Sequence, residues 1–232
     1  MTALNVLSGG AAQGLVTSLA PAFKARTGFD ISGEFGAVGG MADRLRKGVA
    51  ADIIILTAAL VAKLADEKLV VACSIKDVGL VETAIAVRAL DAKVTIGNAD
   101  DLRKALLASD EIYLPDTKAS TAGIHVAKVL AQLGIADDVG SRLKVYPNGA
   151  TAMRELAASS ARQPIGCTQS TEIISTEGVQ LSGALPKGCE LATMYAAGVT
   201  TNAASPKQAQ ILIELLTKAD SRELRSRAGF VG

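Results

Sequence analysis

At 232 residues, with 49% hydrophobic and 20% charged side chains, the chain can form one large domain or two small ones and is too apolar for disorder. A net charge of +1 without a basic block leaves no electrostatic footprint for nucleic acid, and 3% aromatics without Trp leave no platform for stacking bases. Three scattered cysteines (Cys73, Cys167, Cys189) and one histidine exclude a structural zinc site and His-pair metal chemistry, so neither metal nor cofactor is expected.

In chain order, Leu4 to Leu7 reads as a short buried strand running into Ser8-Gly9-Gly10-Ala11-Ala12-Gln13-Gly14. Leu15, Leu19 and Phe23 then recur at helical spacing, with Gly28 as the stop and Pro21 expected to kink or divide the helix. Asp30 to Phe35 is a second strand, followed by Gly36-Ala37-Val38-Gly39-Gly40 and a short helix carrying Met41 and Leu45. Asp52 to Leu56 is a third, buried strand, and Leu60 and Leu64 open another helix. This rhythm predicts a parallel sheet with helices on both faces.

The theme recurs. Leu80 to Val87 alternates as a strand, and Asp100 is the expected cap of a helix bearing Leu102, Leu106 and Leu107. Glu111 to Leu114 is a strand, then comes the loop Pro115 to Gly123 and a helix carrying Val126, Val129, Leu130 and Leu133, with Gly134 beyond its end. Lys144 to Tyr146 and Pro164 to Thr168 are strands separated by a helix around Met153 to Ala158. Ala192 to Val199 is a late strand, Ser205-Pro206 an N-cap and N1 pair, and Ser221 to Ala228 a final helix. No apolar run approaches the length of a membrane span, so no membrane insertion is expected. Met1-Thr2-Ala3 lacks the basic start and cleavage site of a signal peptide; as the sequence stands a cytoplasmic protein is expected, and a periplasmic one if a leader has been replaced.

Two loops share one grammar of strand, small residues with paired glycines, then helix: Ser8 to Gly14 and Gly36 to Gly40. A third, Ser120 to Gly123, has hydroxyls in place of glycines. Small residues admit a ligand to the backbone, and free N–H groups at a helix start attract anions. Three such ends select a small anion without a metal, although glycine-rich turns are also common as plain connectors. The dinucleotide, P-loop and nucleophile-elbow fingerprints are all absent.

The order of these segments resembles the type II periplasmic solute-binding proteins, in the branch of the molybdate-binding proteins of ABC transporters. The resemblance rests on Asn5 to Gly14, Ala22-Phe23-Lys24-Ala25-Arg26-Thr27-Gly28, Phe35 to Gly40, Gly48-Val49-Ala50-Ala51-Asp52-Ile53-Ile54-Ile55, and the ending from Ala192 through Ser205-Pro206. It implies an α/β fold of two doubly wound lobes with a ligand cleft between them, residues 1–82 plus 190–232 forming one lobe and 83–189 the other. The crossings would fall near Val81 to Thr83 and Cys189 to Tyr195. It also implies a small anionic ligand and an ABC-transporter permease as partner.

The resemblance puts Ser8, Gly9, Gly10, Ala11, Ala12, Ala37, Val38, Gly39, Ser120, Thr121, Gly123 and Gln169 at the ligand. Where the family's molybdate binders carry serines and often a tyrosine, this chain has Gly10 or Ala11, Val38 and Gln169. Each lost hydroxyl costs an oxyanion about 1 kcal/mol or more, so a small organic carboxylate suits the lining better than molybdate. Some proteins resembling this family are isomerases of small unsaturated acids, which makes a cofactor-free isomerase the alternative to a receptor. His125, expected in the first turn of the helix after Ser120-Thr121, is the candidate base in that alternative, and a surface histidine hydrogen-bonded to water otherwise. Ser120, Thr121, Ser170 and Glu172 are the other acid–base candidates; Lys118 reads as a counter-ion or a solvated lysine, Tyr195 as a cleft or core residue, and Cys167 as a buried small hydrophobe.

Overall fold

A computed structural model describes residues 2–232. In chain order, β1 (Ala3–Gly9) passes through a tight 3-10 turn into α1 (Gln13–Thr27), which buries Leu15, Leu19 and Phe23 at successive turns. Gly28 ends α1 in the left-handed region at φ 75°, where a residue without Cβ is unstrained. Pro21 neither divides nor ends the helix. It lies on the exposed face, where the carbonyl left without an N–H partner is not buried by the core. Next come β2 (Asp30–Gly36), α2 (Val38–Arg46), β3 (Ile53–Thr57), α3 (Ala58–Asp66) and the long β4 (Lys76–Arg88).

The chain continues with α4 (Ala99–Ala108), β5 (Glu111–Pro115), α5 (Thr121–Gln132), α6 (Ala136–Val139), β6 (Leu143–Tyr146) and α7 (Gly149–Ala158). Then follow β7 (Pro164–Gln169), α8 (Ser170–Ile174), β8 (Val179–Ala184) and β9 (Ala192–Val199). The chain closes with α9 (Pro206–Thr217), α10 (Arg222–Arg227) and β10 (Phe230–Val231). Asn98 rather than Asp100 caps α4, its side chain accepting from Asp101 N. Ser205 stands at the N-cap of α9 with Pro206 at N1, but its side chain makes no capping bond.

Two units result: Met1–Leu80 with Thr193–Gly232, and Val81–Ala192. The chain leaves the first inside β4 and returns at the start of β9. In the first unit the strand order is β2-β1-β3-β9. β1 runs parallel to β2 in an unbroken register from Ala3↔Asp30 to Gly9↔Gly36, and parallel to β3 from Val6↔Ile53 to Ser8↔Ile55. The core joins Leu7, Ile54 and Leu56 to Val61, Leu64 and Ala196. In the second unit β7 lies between β4 and β5, with β6 beyond β5 and β8 added to β4. Its core packs Ile85, Ile112 and Ile165 against Leu102, Leu106, Val126 and Leu130. The sheets are mixed rather than all parallel, since β9 runs antiparallel to β3, and β4 antiparallel to β7 and β8. β4 and β9 are the strands through which the chain leaves and re-enters a unit.

Asp52 explains the Gly-x-x-Ala-Asp segment without a ligand. Its buried carboxylate accepts the N–H groups of Asn5 (2.8 Å) and Ser205 (2.7 Å), tying β1, β3 and the start of α9 together. A buried carboxylate is tolerated when backbone donors replace its hydration.

Candidate functional site

The parallel register of β1 and β2 brings the first two loops together. Gly9 faces Gly36 across the ladder, so the segments Gly10–Ala12 and Ala37–Gly39 leave neighbouring carboxyl ends of strands, where ligands bind in open α/β sheets. The contact is intimate: a Cβ added at Gly9 would stand 2.8 Å from Val38 Cγ1 and 3.0 Å from Tyr195 Cε1. Val38 therefore lies over Gly9, and Tyr195, on β9 and 1% exposed, fills the space beneath. Gly10, Ala11 and Ala12 are buried, and Ala37, Val38 and Gly39 half-buried. Ser8 is fully buried and its hydroxyl donates to Gly9 O at 2.9 Å, so its proton is spent on the backbone.

In the second unit β5 and β7 are parallel neighbours, and their carboxyl ends carry the other candidates. Ser120 is the N-cap of α5 and Thr121 its first residue, both half-buried; Gln169 is the N-cap of α8 and buried. Asp116 shapes the approach to α5: its carboxylate accepts Lys118 N (2.7 Å) and Ala119 N (2.8 Å), which holds it below the usual carboxylate range. Lys118 itself is exposed, as a solvated lysine would be. Gly123 is required for another reason than approach of a ligand. A Cβ there would lie 2.2 Å from Asp116 O and 2.4 Å from Pro115 O, so the first turn of α5 packs directly on its own loop.

The helix starts divide into two kinds. α4 and α7 are capped by their own Asn98 and Asn148 side chains. The Gly10 turn, α2, α3, α5, α8 and α9 receive no side-chain cap, and of these only α8 has an acidic residue in its first turn. That exception is Glu172. Its carboxyl is buried and accepts Thr168 Oγ1–H at 2.6 Å together with the N–H groups of Gln169, Gly149 and Ala150. Desolvation pushes its pKa above the ordinary glutamate range, against the pull of those four donors. With Asn148 accepting from Thr151 N, the first turn of α7 is filled by the protein's own side chains. Glu172 is thus a packing carboxylate rather than a free acid–base group. Gly149 is its sequence counterpart, since a Cβ there would fall 1.9 Å from Glu172 Oε2.

His125 is half-buried in the second turn of α5, with Nε2 2.8 Å from Cys189 O. A carbonyl only accepts, so Nε2 carries a proton and donates it to Cys189 O. The histidine is bonded to the protein's backbone rather than standing free in solvent. Cys167 is 2% exposed and burial pushes its thiol up to about 12, which makes it inert. Among the described residues no group of His, Cys, Asp or Glu is arranged to hold a metal ion, and no helix is long and apolar enough to cross a membrane.

This is the fold of the periplasmic binding proteins. The periplasmic molybdate-binding protein of Azotobacter vinelandii superposes with a TM-score of 0.81 over 99% of both chains at 17% identity. The sulfate-binding protein SubI of Mycobacterium tuberculosis superposes with a TM-score of 0.76 over 99% of this chain and 86% of that one, at 20% identity. Residues 4–231 match the family of bacterial extracellular solute-binding proteins, and the chain belongs to that family. Among curated proteins it is similar to an aconitate isomerase from a Pseudomonas species, 24% identical over 237 residues that cover 99% of this chain and 87% of the relative.

Proposed function

We propose that this solute-binding protein takes a small organic carboxylate and, as a receptor of ABC-transporter type, hands it to a membrane permease. The observation that carries the reading is that all three small-residue loops run into uncapped, acid-free helix starts. The starts beside Gly10, Val38 and Thr121 carry neither a side-chain cap nor an acidic residue, whereas α4 and α7 satisfy their own. Uncapped N–H groups suit a carboxylate, each helix start acting like about half a positive charge. Ala11 and Val38, in place of hydroxyls, suit a carbon skeleton better than a fully oxygenated anion. Ser120 and Thr121 supply hydroxyl donors, and Gln169 is the further polar group we assign to the solute. The test is a thermal-unfolding screen of di- and tricarboxylates against molybdate and sulfate. A ligand at 100 times its Kd adds about 2.7 kcal/mol of stability, several degrees for a chain of this size. The reading fails if only the inorganic oxyanions stabilise.

A second reading has its own support in the similarity to an aconitate isomerase along nearly the whole chain. There the chain would move a proton within a small unsaturated acid, with His125 as the base acting through Nδ1 while Cys189 O holds Nε2–H. His125→Gln should then lower turnover by roughly 10²–10⁴-fold with much less effect on binding. Deuterium exchange into aconitate, followed by NMR for wild type and variant, separates the cases: a receptor exchanges nothing into an acid that it binds. The receptor reading puts the working protein in the periplasm and the isomerase reading in the cytoplasm, which cell fractionation distinguishes.

A further inference from the structure

The second unit carries a cavity of about 520 Å³ at the end of its sheet opposite the candidate loops. It is built where β4 finishes and β7 begins, from Val87, Val94, Ala105, Ala108, Pro164 and Ile165, whereas Gln169 and the Ser120 loop lie at the carboxyl ends of β7 and β5. Its size falls within the roughly 300–1,000 Å³ of small-molecule pockets.

Two features mark it as more than a surface dent. The first is Leu90, whose side chain is 100% exposed on the lip. It is held there by a fastened turn. Arg88 grips Asp91 through Nε (2.7 Å) and Nη2 (3.2 Å), and its Nη1 donates to Ser159 O at 2.7 Å. The Gln180 amide meanwhile donates to the carbonyls of Ala89 (3.0 Å) and Asp91 (2.8 Å). The hydrogen-bonded turn thus presents Leu90 to solvent beside the apolar lining. The second feature is charge. Asp91, the acid in the lining, is spent on Arg88, while Lys93 and Arg162, both exposed on the lining, form no ion pair among the described residues. The lining also holds Ser109 and Gln163, whose N–H donates to the Asp110 carboxylate (3.1 Å), but the apolar wall beside two cations outside any ion pair suits an apolar body ending in a single negative charge.

We propose that this cavity is a second binding site, independent of the carboxylate reading above, for amphiphilic monoanions such as a medium-chain fatty acid or an aromatic sulfonate. The body packs against Leu90, Val87 and Ile165, and the anionic head meets Lys93 and Arg162.

The probe is 8-anilinonaphthalene-1-sulfonate, titrated into the intact chain and read by fluorescence. The expected result is a saturable rise with one equivalent, displaced by decanoate but not by decan-1-ol or decyltrimethylammonium. Lys93→Glu with Arg162→Glu should weaken it by at least about tenfold, as should Leu90→Asp, with the melting temperature unchanged. Because charge reversal on an exposed rim could still perturb folding, Lys93→Gln with Arg162→Gln serves as a milder pair, and should reproduce the loss in part. No saturable binding, equal displacement by the alcohol, or a Kd indifferent to all three variants would overturn the proposal. A positive result stands whether or not any carboxylate binds at the Gly10, Val38 and Ser120 loops, so the two readings fail separately.

Discussion

At Gly123 a single methyl group has nowhere to go, because the atoms that would meet it are backbone carbonyls that cannot rotate away. Gly123→Ala should cost about 1–3 kcal/mol, the usual range for overpacking, read as a lower urea midpoint with an unchanged slope. An unmoved midpoint would show that α5 tolerates displacement from its loop. Glu172 makes a prediction of opposite character. Its native pKa is raised, so over the window above the ordinary glutamate range the folded chain holds a proton that the unfolded chain has lost. Stability from this group is therefore present in acid and declines as pH rises through that window. Wild type should lose stability relative to Glu172→Gln between acid and neutral pH; a constant difference across the range contradicts the shift. The cysteines give a third check. Cys73 is exposed, whereas Cys167 and Cys189 are buried with thiols pushed up by desolvation. A disulfide reagent at mildly alkaline pH should titrate one thiol in the native chain and three after unfolding. Two or more fast native thiols would mean that the second unit opens easily.

Among the elements, the helices and the strands of the first unit are largely legible in the sequence because their cues are local: apolar spacing, a following glycine, a small-residue loop. β9 is foreseen to the residue, Ala192 to Val199. What stays hidden depends on pairing across long separations. β8, with every residue only half-buried, has no alternating pattern and forms because β4 offers it a partner some hundred residues earlier. The antiparallel runs of β4 and β9 likewise follow from the chain leaving and re-entering a unit, which no local period encodes. At the candidate site the small-residue loops can be read directly. That Ser8 turns its hydroxyl inward, that Gly123 serves packing, and that Glu172 fills the start of α7 cannot, since each rests on a contact with a neighbour the sequence does not order. The loops also differ among themselves. Gly40 is exposed in the first turn of α2, and a methyl group added there would meet no atom within 4 Å, so the position is free to change. Gly40→Ala should raise stability by about 0.4–1 kcal/mol by restricting the unfolded chain, measured by the same urea titration. A loss of stability there would place a close neighbour where none is seen.

For the whole molecule, family membership and fold are those of a solute-binding protein, and the central question is which solute it takes. Proteins related by fold bind molybdate in one case and sulfate in another, and a curated relative is an aconitate isomerase. Under the proposed reading, Val38 offers the solute carbon and Gln169 a polar group, beside the uncapped start of α2. The most direct test is isothermal titration calorimetry of the intact chain with trans-aconitate, citrate and other di- and tricarboxylates, run beside molybdate and sulfate in the same buffer. A carboxylate receptor should show one-to-one binding of at least one of these acids with a heat that saturates, and weak or no binding of molybdate. Submicromolar molybdate affinity, with every carboxylate silent, would contradict it.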